Sequence, residues 1–340
     1  MNLIDVTQQF PTDEECLKYI EQMRWPDGVV RCPTCGNDKI SRITRSAKTV
    51  TRKKSDGSGE TREHKQRTQL FQCLEPTCKE QFTATHGTIF HKSHLPLHKW
   101  FMALAIVVDA KKSISANQLK EHLGIGSYRT AWYMAHRIRK AMAEETNPFD
   151  QLRGVVELDE TYLSGKSKDR YGRIRNRKPR EERVDMVLGM RERGEKGKPG
   201  RVKFVHIKDG KAKTIREEVR KHVVPSPTRI ITDDASVYDW AFDPELRKKH
   251  RSVNHSIQWI VPGTNIHTNT VESAFSLLKR GLIGSFHRVS IKHLHRYLSE
   301  FEFRFNIRKD EDRFSKTLRR MAGIAPMPYV ELIAIPKGEA

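Results

Sequence analysis

The chain has 340 residues, with 63 Lys and Arg against 42 Asp and Glu and a formal net charge of +21; its sequence pI is about 9.8 and its mean hydropathy −0.68. The longest apolar run, Trp100 to Val108, is nine residues, far short of a bilayer span, and the opening MNLIDVTQQF is neither basic nor apolar enough for a secretory leader. The cation excess instead predicts a phosphate-rich partner bound with strong salt dependence, and the length allows two or three domains.

Asp13 to Trp25 predicts a short amphipathic helix with Leu17, Ile20 and Met23 inward, and with Cys16 as a buried lone thiol. The other four cysteines form two close pairs, Cys32-Pro-Thr-Cys35 and Cys73 with Cys78 in CLEPTC. Paired this way they read as four thiolates for one structural Zn²⁺ in a reducing compartment rather than as disulfides. The second knuckle is two residues looser than the commonest spacing. The polar, basic, Gly/Ser-rich excursion between the knuckles predicts a flexible, solvated loop, with strands at Gln69 to Gln72 and Gln81 to Ala84.

From Leu95 to Ala143 the periodicity is helical. One helix carries Trp100, Leu104 and Val107, a short one follows Ser115, and Gly124-Ile-Gly126 makes a turn. A third helix opens at Ser127, with Tyr128, Ala131, Trp132, Ala135 and Ile138 on one face and Arg129, Tyr133, His136, Arg137 and Lys140 on the other. This is a helix-turn-helix-like order, and Arg129, Arg137 and Lys140 are its candidate DNA contacts.

Asn147-Pro148 ends the helix. Val155 to Asp159 then predicts a strand with Val156 and Leu158 on one face, and Glu157 and Asp159 on the other. Lys166 to Arg183 holds nine Lys/Arg against three acids, and with Lys166, Arg173 and Arg175 it predicts a clamp on a DNA backbone. Strands are expected at Val184 to Met190 and Val202 to Ile207, a helix at Lys211 to His222, and a further strand at Arg229 to Asp233. In His267 to Gly281, Val271, Ala274, Phe275 and Leu278 make a helical apolar stripe, with Glu272 and Lys279 seven residues apart at its border. Leu294, Tyr297, Leu298, Phe301 and Phe305 mark another core helix, and the stretch from Pro326 reads as a loose terminus.

Three strands, a helix, a fourth strand and then helices is the order of an RNase H-like mixed sheet. If the first and fourth strands are neighbours, Asp159 and Asp233 lie side by side and Glu272 can close the set. Three crowded acids repel unless divalent cations sit between them. Two Mg²⁺ (or Mn²⁺) ions roughly 3.5–4 Å apart would then serve an in-line phosphodiester displacement. Glu160 and Asp234 adjoin the candidate ligands but should point away. His267 and Asn269 either touch a ligand or brace the helix entry.

CPTCG with the later Cys pair, GTIFHKSHLPLHKW, VVELDETYLSGK, IITDDASVY, HTNTVESAFSLLKRGLIGSFHRVS and LHRYLSEFEFRFN together resemble the zinc-ribbon-containing DDE insertion-sequence transposases of ISXO2-like type. The resemblance spans residues 14 to 310. It implies Asp159, Asp233 and Glu272 as the metal-binding acids, Lys279 as the grip on the phosphate beside the scissile bond, and Arg280 as a further DNA contact. The partners it implies are double-stranded DNA, both terminal inverted repeats and target, and a second copy of the chain to pair two ends. The place it implies is the cytoplasm, at the nucleoid. The long excursion between the knuckles departs from the family pattern.

The expected fold class is therefore multidomain α+β and α/β. Its expected parts are a helical segment over 1–30, a zinc ribbon over 31–90, a helix-turn-helix-like domain over 91–146, an RNase H-like catalytic core over 150–312 and a tail over 313–340. The expected activity is metal-dependent cleavage at element ends followed by strand transfer. A nuclease that only hydrolyses, and a DNA-binding regulator with a vestigial core, are the alternatives.

Overall fold

The computed structural model describes residues 1–45, 48–53, 59–64, 67–143, 151–163, 186–195, 197–287 and 289–334. These fall into two compact units. Unit 1 comprises Met1–Asp109, Lys120–Ala141 and Asp312–Ala334; unit 2 comprises Ala110–Leu119 and Met142–Glu311. Unit 1 thus takes in the first two expected domains, most of the third, without residues 110–119, and the described part of the expected tail.

Unit 1 starts with α1 (Leu3–Gln9), which the sequence reading left unassigned, and α2 (Asp13–Arg24). Each begins with a reciprocal capping box, Asn2 with Asp5 and Thr12 with Glu15, that satisfies otherwise orphaned amides. Cys16 is fully buried, and burial, reinforced by Asp13 and Glu15, pushes its thiol up to about 12.

The ribbon is a three-stranded antiparallel sheet of β1 (Ile40–Arg45), β4 (Arg67–Cys73) and β5 (Gln81–Phe82). The excursion is not the plain loop expected: β2 (Lys48–Lys53) and β3 (Gly59–His64) pair antiparallel as a hairpin. Thr and Val in KTVTRK favour extended backbone. Trp25 packs edge to face on Phe71 and Phe82 of the ribbon.

The three expected helices are α3 (Leu97–Asp109), α4 (Ala116–His122) and α5 (Tyr128–Met142). On α5 the expected inward residues Ala131, Ala135 and Ile138 are buried, whereas Tyr128 is 54% exposed.

Unit 2 is built on a five-stranded sheet of β6 (Val155–Tyr162), β7 (Met186–Glu192), β8 (Val202–Ile207), β9 (Arg229–Asp233) and β10 (His250–Val253), in the order β10-β9-β6-β7-β8. The pairs β6–β7 and β7–β8 are antiparallel, while β6–β9 and β9–β10 are parallel. This is the RNase H-like mixed sheet. On one face Val156, Leu158, Leu188, Met190 and Ile230 pack against α6 (Ala212–His222), α7 (Val237–Ala241) and α8 (Pro244–Lys249). On the other, Val187, Val202 and Phe204 pack against α9 (Asn269–Gly281) and α10 (Ile291–Asn306). The period-2 alternation of β6 therefore turns Glu157 and Asp159 toward α9.

Two glycines permit close approach. A Cβ at Gly189, which pairs with Asp159 across β6 and β7, would collide with the Phe275 ring of α9. A Cβ at Gly281 would collide with the Phe301 ring of α10. A π-helical turn, Leu282–Phe286, continues α9. The segment around Lys112 is fixed within this unit: Ser285 Oγ donates to the Lys112 carbonyl at 3.2 Å, Ser113 Oγ to Glu300, and Arg304 to the Ala110 carbonyl.

The chain then returns to unit 1 as α11 (Arg313–Gly323) and α12 (Tyr329–Ile333), in place of the expected tail. Phe314 of α11 joins Phe10 and Phe101 in an aromatic cluster. Tyr133 donates to the Met327 carbonyl and Lys140 Nζ to the Pro326 carbonyl at 3.0 Å. No helix among the described residues is long and apolar enough to cross a membrane.

Candidate active site and metal centre

The Sγ atoms of Cys32, Cys35, Cys73 and Cys78 lie within 4.8 Å of one another. Cys32 and Cys78 are 3.7 Å apart, and Cys35 and Cys73 3.6 Å. A tetrahedral ion with Zn–S bonds of about 2.3 Å sets its sulfurs roughly 3.8 Å apart, so donor set and spacing suit a structural zinc. Burial opposes the Cys32 thiolate, but the amides of Cys35 and Thr34 and the neighbouring thiols outweigh it and bring this thiol down to about 7.

In unit 2 the parallel register Val155↔Arg229, Val156↔Ile230 and Glu157↔Ile231, carried two residues further, sets Asp159 abreast of Asp233. Asp159 is pushed up to about 7, first by burial, then by the charges of Glu160 and Asp233, with a smaller push from Glu272. Glu272 belongs to the first turn of α9. Its Oε1 accepts from Thr268 Oγ1 at 3.2 Å and lies 3.3 Å from His255 Nε2, which itself is 2.7 Å from Thr268 Oγ1. The three acids thus come to one end of the sheet. Among the described residues the cysteine cluster alone gathers three or more His, Cys, Asp or Glu ligand atoms within 4.8 Å, so the three carboxylates are spread more widely than one ion's ligand shell. Mutual repulsion favours that spread. An all-oxygen donor set with a carboxyl destabilised by neighbouring anions fits hard divalent cations.

Asp159 and Glu272 open into a cleft of about 720 Å³, also lined by Lys112, Lys279, Arg280 and Ser276. Along α9, Glu272, Ser276 and Lys279 recur at helical spacing, so one stripe of this helix carries an acid at its start and a lysine two turns on. Lys112, outside every motif, was missed by the sequence reading.

Glu160 turns to the opposite face, where the Tyr238 hydroxyl donates to it at 2.8 Å; Asp234 accepts from Ser252 and Asn254. His267 packs beside Arg193 and Glu157, and burial and then the Arg193 charge lower its pKa. Asn269 is the first residue of α9.

The expected DNA contacts on α5 differ in exposure. Arg137 is 3% exposed, donates to the His91 carbonyl at 2.9 Å and lies over the Trp100 and Tyr133 rings. Lys140 is engaged by the Pro326 carbonyl. Arg137 thus packs against the His91 segment and Lys140 against the returning chain, both within unit 1. Arg129 stays exposed. Lys166, Arg173 and Arg175 lie outside the described residues.

Fold and site define an RNase H-like protein that carries a four-cysteine zinc ribbon. Residues 151–306 match the family described as ISXO2-like transposase domain, and residues 11–81 match the transposase zinc-ribbon domain. These two segments carry the domains of zinc-ribbon-containing, ISXO2-like transposases. It is also similar to a protein of transposable element ISH50 from Halobacterium salinarum, 29% identical over 329 residues that cover 92% of this chain and 98% of that one. No solved structure matches it.

Proposed function

We propose that the chain cuts DNA at the ends of an insertion sequence and joins the freed ends to target DNA. Hydrolysis breaks a phosphodiester and leaves a 3′-hydroxyl. That hydroxyl then attacks a target phosphate, forming a new 3′-O–P bond and releasing a target 3′-hydroxyl. The carrying observation is the register of β6 and β9, which sets Asp159 beside Asp233 under the helix that bears Glu272.

In this reading Asp159, Asp233 and Glu272 hold two Mg²⁺ (or Mn²⁺) ions. Such ions, when bound, supply Lewis-acid activation and charge neutralisation at the reacting phosphate. Lys279, Arg280 and Lys112 line the same cleft and neutralise and position the DNA backbone. Thr268 and His255 fix the Glu272 carboxylate. Arg129 on α5 is a further DNA contact. Pairing of two element ends calls for a dimer on DNA, and such work belongs in the cytoplasm at the nucleoid.

The test is an oligonucleotide assay with the inverted repeats that flank the gene. Asp159→Asn and Asp233→Asn should each abolish cleavage and strand transfer while leaving DNA affinity within a few-fold. Cleavage without joined products would reduce the protein to a nuclease, and cleavage by the two variants would remove the acids from the reaction.

A further inference from the structure

Glu157 lies on β6 two residues before Asp159 and on the same face, yet it is fully buried. Both its oxygens are committed. Oε2 accepts the backbone N–H groups of Thr270 and Val271, each at 2.9 Å, and Oε1 accepts from Arg193 Nε at 2.5 Å. Those amides belong to the first turn of α9, where helix N–H groups have no intrahelical acceptor and the helix dipole favours an anion. Arg193 also donates to the carbonyls of Asn265 and His267, at 2.6 and 2.8 Å, and Arg191 donates to the Thr270 carbonyl. The entry to α9 is therefore tied to the sheet through a buried carboxylate and two arginines.

The residue that would ordinarily cap this helix does something else. Thr268, at the N-cap, makes no side-chain cap bond; its hydroxyl faces Glu272 Oε1 and His255 instead. We propose that Glu157, braced by Arg193, replaces Thr268 as the cap of α9, which frees Thr268 to hold Glu272 and fixes the distance of Glu272 from Asp159. Glu157 is then a positioning residue and not a metal ligand, despite sharing a strand face with Asp159. The effect on metal binding rests on the acids proposed above; the capping does not.

The test compares the full chain with Glu157→Gln, Arg193→Gln and Asp159→Asn, using hydrogen exchange over residues 268–273 without metal and titration with Mn²⁺ alone. The Glu157→Gln side chain would keep an acceptor for the two amides but turn an amide N–H₂ toward Arg193, losing the charge-assisted bonds. Glu157→Gln and Arg193→Gln should each speed exchange at Thr270 and Val271 about tenfold and weaken Mn²⁺ several-fold, with unchanged saturating stoichiometry and zinc content. Asp159→Asn should lower the Mn²⁺ stoichiometry and leave exchange at α9 unaltered. Unchanged exchange in both latch variants would overturn the proposal, as would a loss of Mn²⁺ stoichiometry in Glu157→Gln matching that in Asp159→Asn. If Glu157→Gln fails to fold, Arg193→Gln, altered at the more exposed end of the latch, carries the same readouts. If Asp159→Asn leaves Mn²⁺ binding intact, the metal reading fails while the exchange data still decide the cap.

Discussion

Asp159 and Glu160 are consecutive carboxyls on opposite faces of one strand, and each is pushed up to about 7. Burial is the first cause for both, and the Tyr238 hydroxyl offsets only part of it for Glu160. A folded pKa above the unfolded one means that the folded chain binds more protons between the two values. Stability of the metal-free protein should therefore fall as pH rises from about 4 to about 7. Asp159→Asn removes one such anion and should stabilise the metal-free chain at pH 8 by about 1–2 kcal/mol, with little effect at pH 4. Thermal unfolding at the two pH values measures this; equal shifts at both would show that Asp159 carries no charge penalty in the fold. The facing of these acids was legible in advance, because alternation along VVELDE assigns each residue to a side of the sheet. The role of Glu157 was not: its partners are amides 113 and 114 residues away, and no local pattern encodes them. Arg137 shows the same gap in reverse, since its helical phase marks it as polar surface while the distant His91 carbonyl and the Trp100 ring help to enclose it.

At the scale of elements, α9 is the part that sequence described best, because a four-residue apolar stripe with an acid and a lysine at its margin survives folding unchanged. What the stripe left open is how near the helix comes to the sheet. Gly189 sets this. It stands beside Asp159 on the neighbouring strand and gives its missing side-chain volume to Phe275. Gly189→Ala should push Phe275 and α9 outward, cost about 1–3 kcal/mol of stability, and reduce DNA cleavage far more than DNA binding. Thermal unfolding together with the oligonucleotide assay would test it, and wild-type cleavage at wild-type stability would show that the sheet tolerates the methyl. Among the elements missed, β10, α7 and α8 have four to six residues each, too few for a period to register, whereas α11, with 11 residues, was passed over as part of the tail. The β2–β3 hairpin was hidden by its Gly/Ser-rich centre.

At the scale of the molecule, the thiol cluster and the three acids are in different units, so loss of zinc is expected to act on unit 1 alone. Purified chain should carry about one zinc per molecule. Stripping it with a chelator should release protection of the β1 and β4 amides while those of β6 and β9 hold, as read by hydrogen exchange. Loss of protection in both sheets together would mean that the ribbon supports unit 2. The zinc ribbon was plain from cysteine spacing alone; the division of the chain was not, since the sequence suggested five consecutive segments where contacts make two units.

That α11 and α12 complete unit 1 has a bearing on biogenesis. Polypeptides leave the ribosome N-terminus first, at about 5–20 residues per second, so Phe10 and Phe101 emerge long before Phe314, their partner. The five-stranded sheet can close earlier than the ribbon-bearing part, although it is encoded later, and a nascent or prematurely stopped product lacking residues 312–334 would expose an aromatic nucleus that chaperones and proteases recognise.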